Sequence, residues 1–515
     1  MSLHSAVPSL SDGGKSLRDR LQSTDSVNLD KLGLGAARSQ DSLDRTGDSL
    51  DRSFDSDGPR CSTPGDGRDG HTSPGLVREN ETGVVISGSL EDLVHELVPR
   101  AHSCPSDSFM FSFLLSSRLY LTPSHLLAQV CRRADQLAHM MAASSHPAFV
   151  ANLLRLLANW CTWFPYDYQE EAVMAKMRKV AALCVSRDPS VQGRVTQLLH
   201  SLLRHLSAVD KHRAFLARTD RVQAEAEQLG ARPVDVTSLP SASPGSVAQQ
   251  LTHIELQLLS FIGPDEFVNA FARDSSRRTE GGEEEDARVR AGKKTSNLES
   301  YIAWFNRLSF LIASSVCSQR KKKHRVRMIE FWIEVARECV NIGNFNSMMG
   351  IISGLNMTPI SRLRKTWTKI HSGKFTVLGH QIDPTSNFVS YRTTLQAAVS
   401  RSENATDKKQ RVVIPFFSLL LKDLYFVNEG CASRLPNGHI NMEKARSLAE
   451  HVSQFMKWKD MECPYEKNPR LLDYFERSPT FSPALLDLES YVVEPAESPQ
   501  EKEQFKELKA AMKKS

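Results

Sequence analysis

Met328-Ile329-Glu330-Phe331-Trp332-Ile333-Glu334-Val335-Ala336-Arg337-Glu338-Cys339-Val340-Asn341-Ile342-Gly343-Asn344-Phe345-Asn346 is the stretch on which the reading of the fold turns. Met328, Trp332, Val335 and Cys339 fall on one helical face, with Ile329, Ile333, Ala336 and Val340 beside them. An apolar arc that wide belongs to a buried helix. Asn341-Ile342-Gly343 ends it, because glycine can take the left-handed conformation that stops a helix. An asparagine at the 344–346 turn then caps a second apolar helix that runs to Leu355, ahead of Asn356 and Pro359. Two apolar helices joined by a few polar residues make an antiparallel helical pair. The chain around them is predicted to be all-α.

Helical spacing extends in both directions. Upstream, Leu90, Leu93, Val94 and Leu97 share one face behind Ser89 as N-cap, and helices are predicted over 149–160, 168–185 and 191–206. Residues 84–210 therefore read as one helical domain and 211–245 as a linker carrying Gly230, Pro233, Pro240 and Pro244. A larger helical domain is predicted over 246–493, interrupted by a solvated loop that holds Glu283-Glu284-Glu285-Asp286. Lys374-Phe375-Thr376-Val377-Leu378 reads as a short strand, and 494–515 as a charged tail with a short helix from Lys502. Residues 1–82 are rich in Ser, Asp, Gly and Arg and too poor in apolar groups to offset ordering entropy, so disorder is expected there. Their imperfect repeat, Ser42-Leu43-Asp44-Arg45 and Ser49-Leu50-Asp51-Arg52, reads as low-complexity drift or as a docking segment.

Composition narrows the function classes. A net charge of +5 is too small to argue for nucleic acid, and no apolar run approaches the roughly 20 residues of a membrane-spanning helix. Nine dispersed cysteines with no Cys-x-x-Cys pair fit a reduced, cytoplasmic protein. The first residues lack a secretory h-region, and neither end carries a lipidation motif. Gly292-Lys293-Lys294-Thr295 lacks the upstream glycine and the hydroxyl of a phosphate-binding loop, and Gly33-Leu34-Gly35 lacks the third glycine of a dinucleotide fingerprint. No zinc spacing, nucleophile elbow or metalloprotease helix appears. The expectation is a protein with no covalent chemistry, no cofactor and no metal.

The same residues resemble a known family. Asn344-Phe345-Asn346, Ile351 through Asn356, Pro359 and Arg362-Leu363 look like the core signature of RasGEF catalytic domains of the Son-of-sevenless type. Phe305-Asn306 with Leu308-Ser309 resembles that family's earlier GTPase-contacting helix. Pro415-Phe416-Phe417 through Gly430, and Ile440 through Trp458, resemble the two arms of its inserted helical hairpin, reversing at Asn437-Gly438. Residues 84–210 are similar to the Ras exchanger motif domain that precedes such catalytic domains. Within the family, the chain looks most like the RasGEF domain-containing family member 1 group.

The resemblance implies a guanine-nucleotide exchange factor for a Ras-family small GTPase. It places Phe416, Tyr425 and Glu429 on the exchange hairpin, with Tyr425 and Glu429 crowding the magnesium and α-phosphate sites. It puts Phe305, Asn306, Asn356 and Arg362 at the GTPase surface. From spacing alone, Tyr425 reads equally as core, Glu429 as a helix-end carboxylate and Asn356 as a helix terminus. Ser361 stands where the family carries a tyrosine facing the GTPase, a departure that argues against Ras itself, and the resemblance to the family member 1 group implies Rap as the expected partner. The same departure keeps open a scaffold that binds a GTPase without releasing its nucleotide. The basic run Arg320 to Arg325 reads as a solvated helix start, with an anionic membrane or an acidic GTPase surface as alternatives; transient membrane recruitment would accompany the former.

Overall fold

The computed structural model describes residues 77–80, 83–228, 233, 235–239, 242–276, 295–371 and 373–512. The expected disorder before residue 77, the Ser-Leu-Asp-Arg repeat and the acidic run at 283–286 lie outside the described residues. In chain order the elements begin with strands β1 (Arg78–Glu79) and β2 (Val85–Gly88) and helices α1 (Leu90–Leu97), α2 (Asp107–Ser116), α3 (Pro123–Met140), α4 (His146–Trp163), α5 (Glu171–Arg187) and α6 (Gln192–Gln228). Helices α7 (Pro244–Ser260), α8 (Pro264–Ser276), α9 (Ser296–Cys317), α10 (Lys322–Ile342), α11 (Phe345–Asn356), α12 (Thr358–Ser361), α13 (Arg364–Trp367), α14 (Gly373–Gly379) and α15 (Val389–Asn404) follow. The chain continues with α16 (Phe417–Gly430), β3 (Ile440–Asn441), α17 (Met442–Lys459), α18 (Pro469–Arg477), α19 (Pro483–Val493) and α20 (Pro499–Met512). The all-α reading holds, with one small sheet that the sequence did not disclose.

Two compact units divide the chain. Among the described residues, one joins those up to Leu206 to Lys422–Ser453, and the other joins Ser207–Leu421 to those from Gln454 onward. In the first, Ser89 accepts the Asp92 N–H at 3.1 Å and so caps α1 as its position predicts. Asp167 is buried where Arg118 meets it in a two-pronged pair at 3.0 and 3.1 Å and Trp160 Nε1 donates at 2.8 Å, so its charge is fully matched. Strand β2 pairs antiparallel with β1 on one side and with β3 on the other, Ser87 opposite Asn441 and Gly88 opposite Ile440.

In the second unit α10 is the central helix. Met328, Ile329, Trp332, Ile333, Val335, Ala336 and Cys339 are all buried, and Trp332 Nε1 donates to Ser315 Oγ at 2.9 Å. Gly343 stops it at φ 98°, where a Cβ would also collide with the Val412 carbonyl oxygen. Asn344 caps α11 by accepting the Ser347 N–H at 3.0 Å. Helices α9 and α11 approach closely enough that Ser309 Oγ reaches the Gly350 carbonyl at 2.9 Å.

Four expectations are corrected. Residues 374–378 belong to helix α14: a five-residue run is too short for periodicity to separate strand from helix, and the Phe375 ring packs on Trp367 at 5.1 Å. The expected linker is helical as far as Gln228, and His212 within it is buried. Glu494, assigned to a charged tail, is buried and accepts from the Thr366 N–H at 3.2 Å, while Phe505 of α20 packs on Tyr491 at 5.3 Å. Arg78 and Glu79, placed in the N-terminal tail, form an edge strand.

A Cβ at Gly354 would sit 2.5 Å from the Ser309 carbonyl oxygen, a backbone atom that cannot swing away. Gly354→Ala should therefore cost about 1–3 kcal/mol despite alanine's better helix propensity. A denaturation midpoint equal to or above wild type would refute that reading.

Candidate functional site

The candidate site is built on the base of the α16–α17 hairpin. Residues 343–345 and Ile414 exchange backbone hydrogen bonds, Ile414 N–H to the Gly343 carbonyl and Phe345 N–H to the Ile414 carbonyl, each at 2.9 Å. Two side chains then take the donors that open α16. Tyr391 Oη accepts the Phe416 N–H at 2.7 Å, and Asn346 Oδ1 accepts the Phe417 N–H at 3.2 Å. The Asn344-Phe345-Asn346 triplet is wholly buried and does its work from inside.

Asn346 also donates to Glu255, which has no exposed surface. Glu255 accepts from Asn346 Nδ2 at 3.1 Å, Ser347 Oγ at 2.8 Å and Trp304 Nε1 at 3.2 Å. Burial pushes its carboxyl above the ordinary carboxylate range, and these neutral donors oppose that rise only in part. Around this node Phe416 packs against Phe305 at 5.8 Å and Tyr391 at 6.3 Å, while Phe417 meets Tyr301 edge-on at 4.8 Å. Phe416 and Phe305 are 2% and 7% exposed, so they form the hairpin's footing and offer little surface. Asn306, one residue on from Phe305 along α9, is half-buried. The amino end of α9 is held by Glu266 of α8, which accepts the Asn297 and Leu298 N–H groups at 3.0 and 2.9 Å.

Farther along α16 the surface changes. Tyr425 is half-buried, Glu429 is exposed, and Phe426 is 59% exposed, with the Lys422 ammonium 5.8 Å from its ring centre. The turn after α16 is braced within its own unit. Lys444, itself buried, donates to the Asn428 carbonyl at 2.6 Å and to Ser433 Oγ at 2.8 Å, a cation placed at a helix carboxyl end. Asn441 caps α17 through the Glu443 and Lys444 N–H groups. Tyr120 Oη donates to the Ser433 carbonyl at 2.8 Å under the Arg434 guanidinium, and Arg446 donates to the Val85 carbonyl at 2.8 Å. Gly438 takes φ 81° at the predicted reversal.

Asn356 ends α11 and is exposed, and Ser361 is exposed at the end of α12. Arg362 is held inward: it donates to the Ser490 and Glu494 carbonyls at 2.9 Å each, and its guanidinium stacks 3.8 Å from the Tyr491 ring centre.

A RasGEF domain model matches residues 246–446, from the start of α7 into α17. Ras-GEF domain-containing family member 1B of Homo sapiens is 44% identical over 438 residues, covering 83% of this chain and 91% of that protein. Family member 1C of Mus musculus is 43% identical over 446 residues, covering 84% and 92%. This chain belongs to the RasGEF family. In this RasGEF chain the family triplet is thus an internal fastening, and α16 departs from it.

Sequence reasoning missed Glu255, Tyr391, Glu266 and Lys444. A lone acid inside the apolar run Ile254-Glu255-Leu256 is a visible anomaly, but its partners lie 49 to 92 residues away and no local pattern names them.

Asn346→Ala would leave the Phe417 N–H and the Glu255 carboxyl short of partners, at a cost of about 1–3 kcal/mol. Unfolding should show it, with the hairpin segment gaining hydrogen exchange first; unchanged exchange at 415–421 would sink it. Glu255 gives a pH signature. Its raised value means that the stability it lends is full below the ordinary 4.5 and is lost as pH rises through the folded-state value. Glu255→Gln should remove that part of the Tm-against-pH slope, whatever its absolute stability, and parallel curves for the two proteins would rule the assignment out.

Proposed function

We propose that this chain promotes GDP release from a Ras-family small GTPase, Rap in preference to Ras, by inserting the α16–α17 hairpin near the switch regions. The observation that carries the reading is the contrast along α16. Its first turn is locked by Asn346, Tyr391 and Glu255, whereas its last turns present Phe426 and Glu429 to solvent. A GTPase holds its nucleotide through a phosphate loop, a magnesium ion and switch segments ordered by those contacts. An exchange factor must prefer the nucleotide-free form, and by linkage it weakens nucleotide by the same factor as nucleotide weakens it. A hairpin that deforms under load could not sustain that difference; one with a fastened base can.

The roles in this reading are those the family resemblance implies. Tyr425 crowds the ion site and Glu429 sets a carboxylate against phosphate charge. Asn356 meets the displaced switch, and Asn306 contributes from α9. Phe305 and Phe416 act from the interior, anchoring the first turn of α16, and Arg362 holds the α12–α13 turn. The protein supplies no covalent step, cofactor or metal of its own in this reading.

A second reading, a scaffold that binds a GTPase without ejecting nucleotide, is favoured by Ser361. Its hydroxyl bonds only locally, to the Thr358 carbonyl at 3.3 Å, and offers none of the aromatic area of the family's tyrosine. Fluorescent-nucleotide release over a panel of Ras and Rap proteins separates the two. Glu429→Ala and Asn356→Ala change exposed positions and should each lower the release rate about tenfold or more, equivalent to about 1.4 kcal/mol. Tight binding to nucleotide-free GTPase with no acceleration of release would establish the scaffold instead.

A further inference from the structure

Residues 320–327 carry six Lys or Arg and residues 362–374 carry five, with no Asp or Glu in either segment, in a chain whose net charge is only +5. The fold brings the two segments together. Arg325 Nε bonds Thr366 Oγ1 at 3.2 Å, α13 and α14 both pack on α10, and Lys374 pairs with Glu334. Lys323 and Arg327 lie eleven and seven residues before Glu334, three and two helical turns back on the same face of α10. Three nearby acids are engaged elsewhere: Glu489 by Arg320 at 2.9 Å, Glu497 by Lys365 at 2.7 Å, and Glu494 inward against Thr366. Lys321, Lys323, Arg327 and Lys369 are exposed and take no ion-pair partner among the described residues.

An apolar group stands in the same field. Val377 is 66% exposed on α14, one turn from Lys374, on a helix seated by the Phe375–Trp367 contact. We infer that this face of α10, α13 and α14 docks on an anionic lipid bilayer, its cations on the headgroups and Val377 at the acyl boundary. Charge complementarity carries the choice. Unpaired cations spread over a helix surface, with an exposed aliphatic group among them, give the two signals that interfacial binding combines, diffuse attraction and apolar insertion. The inference does not depend on the exchange reading, because lipid binding is measured without a GTPase.

The full chain should co-sediment with vesicles of phosphatidylcholine and phosphatidylserine, not with phosphatidylcholine alone, and binding should weaken as salt rises. Lys321→Glu, Lys323→Glu and Arg327→Glu together should lower partitioning about tenfold or more, and Val377→Asp alone should lower it with every cation retained. All four positions are exposed, so the helical circular dichroism should not change. If the triple variant binds anionic vesicles as wild type does, the inference is wrong. A loss confined to GTPase affinity in vesicle-free solution also overturns it, assigning the face to an acidic protein.

Discussion

The structure of the candidate site depends on a buried polar junction in which one asparagine serves two helices. Asn346 accepts the Phe417 N–H with its oxygen and donates to Glu255 with its nitrogen, so the start of α16 is tied to α7 through one side chain. An unmatched donor or carboxylate at that depth would cost more than a typical surface interaction returns. The backbone exchange between Gly343, Phe345 and Ile414 adds a second constraint beside it. Together they fix where α16 begins and leave its far end to other contacts.

Those contacts follow different physics. The base relies on desolvated hydrogen bonds and aromatic packing around Phe416 and Phe417. The reversal after α16 relies on a lysine that satisfies helix-end carbonyls, a tyrosine hydroxyl, and a short strand that pairs with β2. Between them runs a helix whose exposed groups, Phe426 and Glu429, are the ones a partner could touch. Rigidity and availability are thus divided along a single helix.

The carboxyl-terminal segment has a comparable part in the α12–α13 turn. Glu494 takes the Lys365 and Thr366 N–H groups, and Tyr491 with the Ser490 and Glu494 carbonyls holds the Arg362 guanidinium. A charge-based reading assigned residues 494–515 of that segment to a charged tail. Its acids are instead matched to Arg320, Arg325, Arg362 and Lys365, which leaves the remaining cations of the basic run facing outward without compensation.

Local order was legible in the residues themselves. The wide apolar arc of 328–340, the glycine stop at 343, the asparagine cap at 344 and the turn at 437–438 need only neighbours within one or two helical turns, and each appears where spacing places it. The ordered family motifs added the hairpin and its candidate residues by likeness. Tertiary structure alone decided which of those residues are available. Phe416 and Phe305 are sealed in the footing and Arg362 is clasped by chain 128 to 132 residues away, while Asn356 and Glu429 stay in solvent. The strand at 440–441, the helical state of 373–379 and the burial of Glu494 were likewise settled by distant partners. Burial and pairing are properties of three-dimensional proximity, and a sequence read along its length carries periodicity but not the identity of the group that arrives from elsewhere.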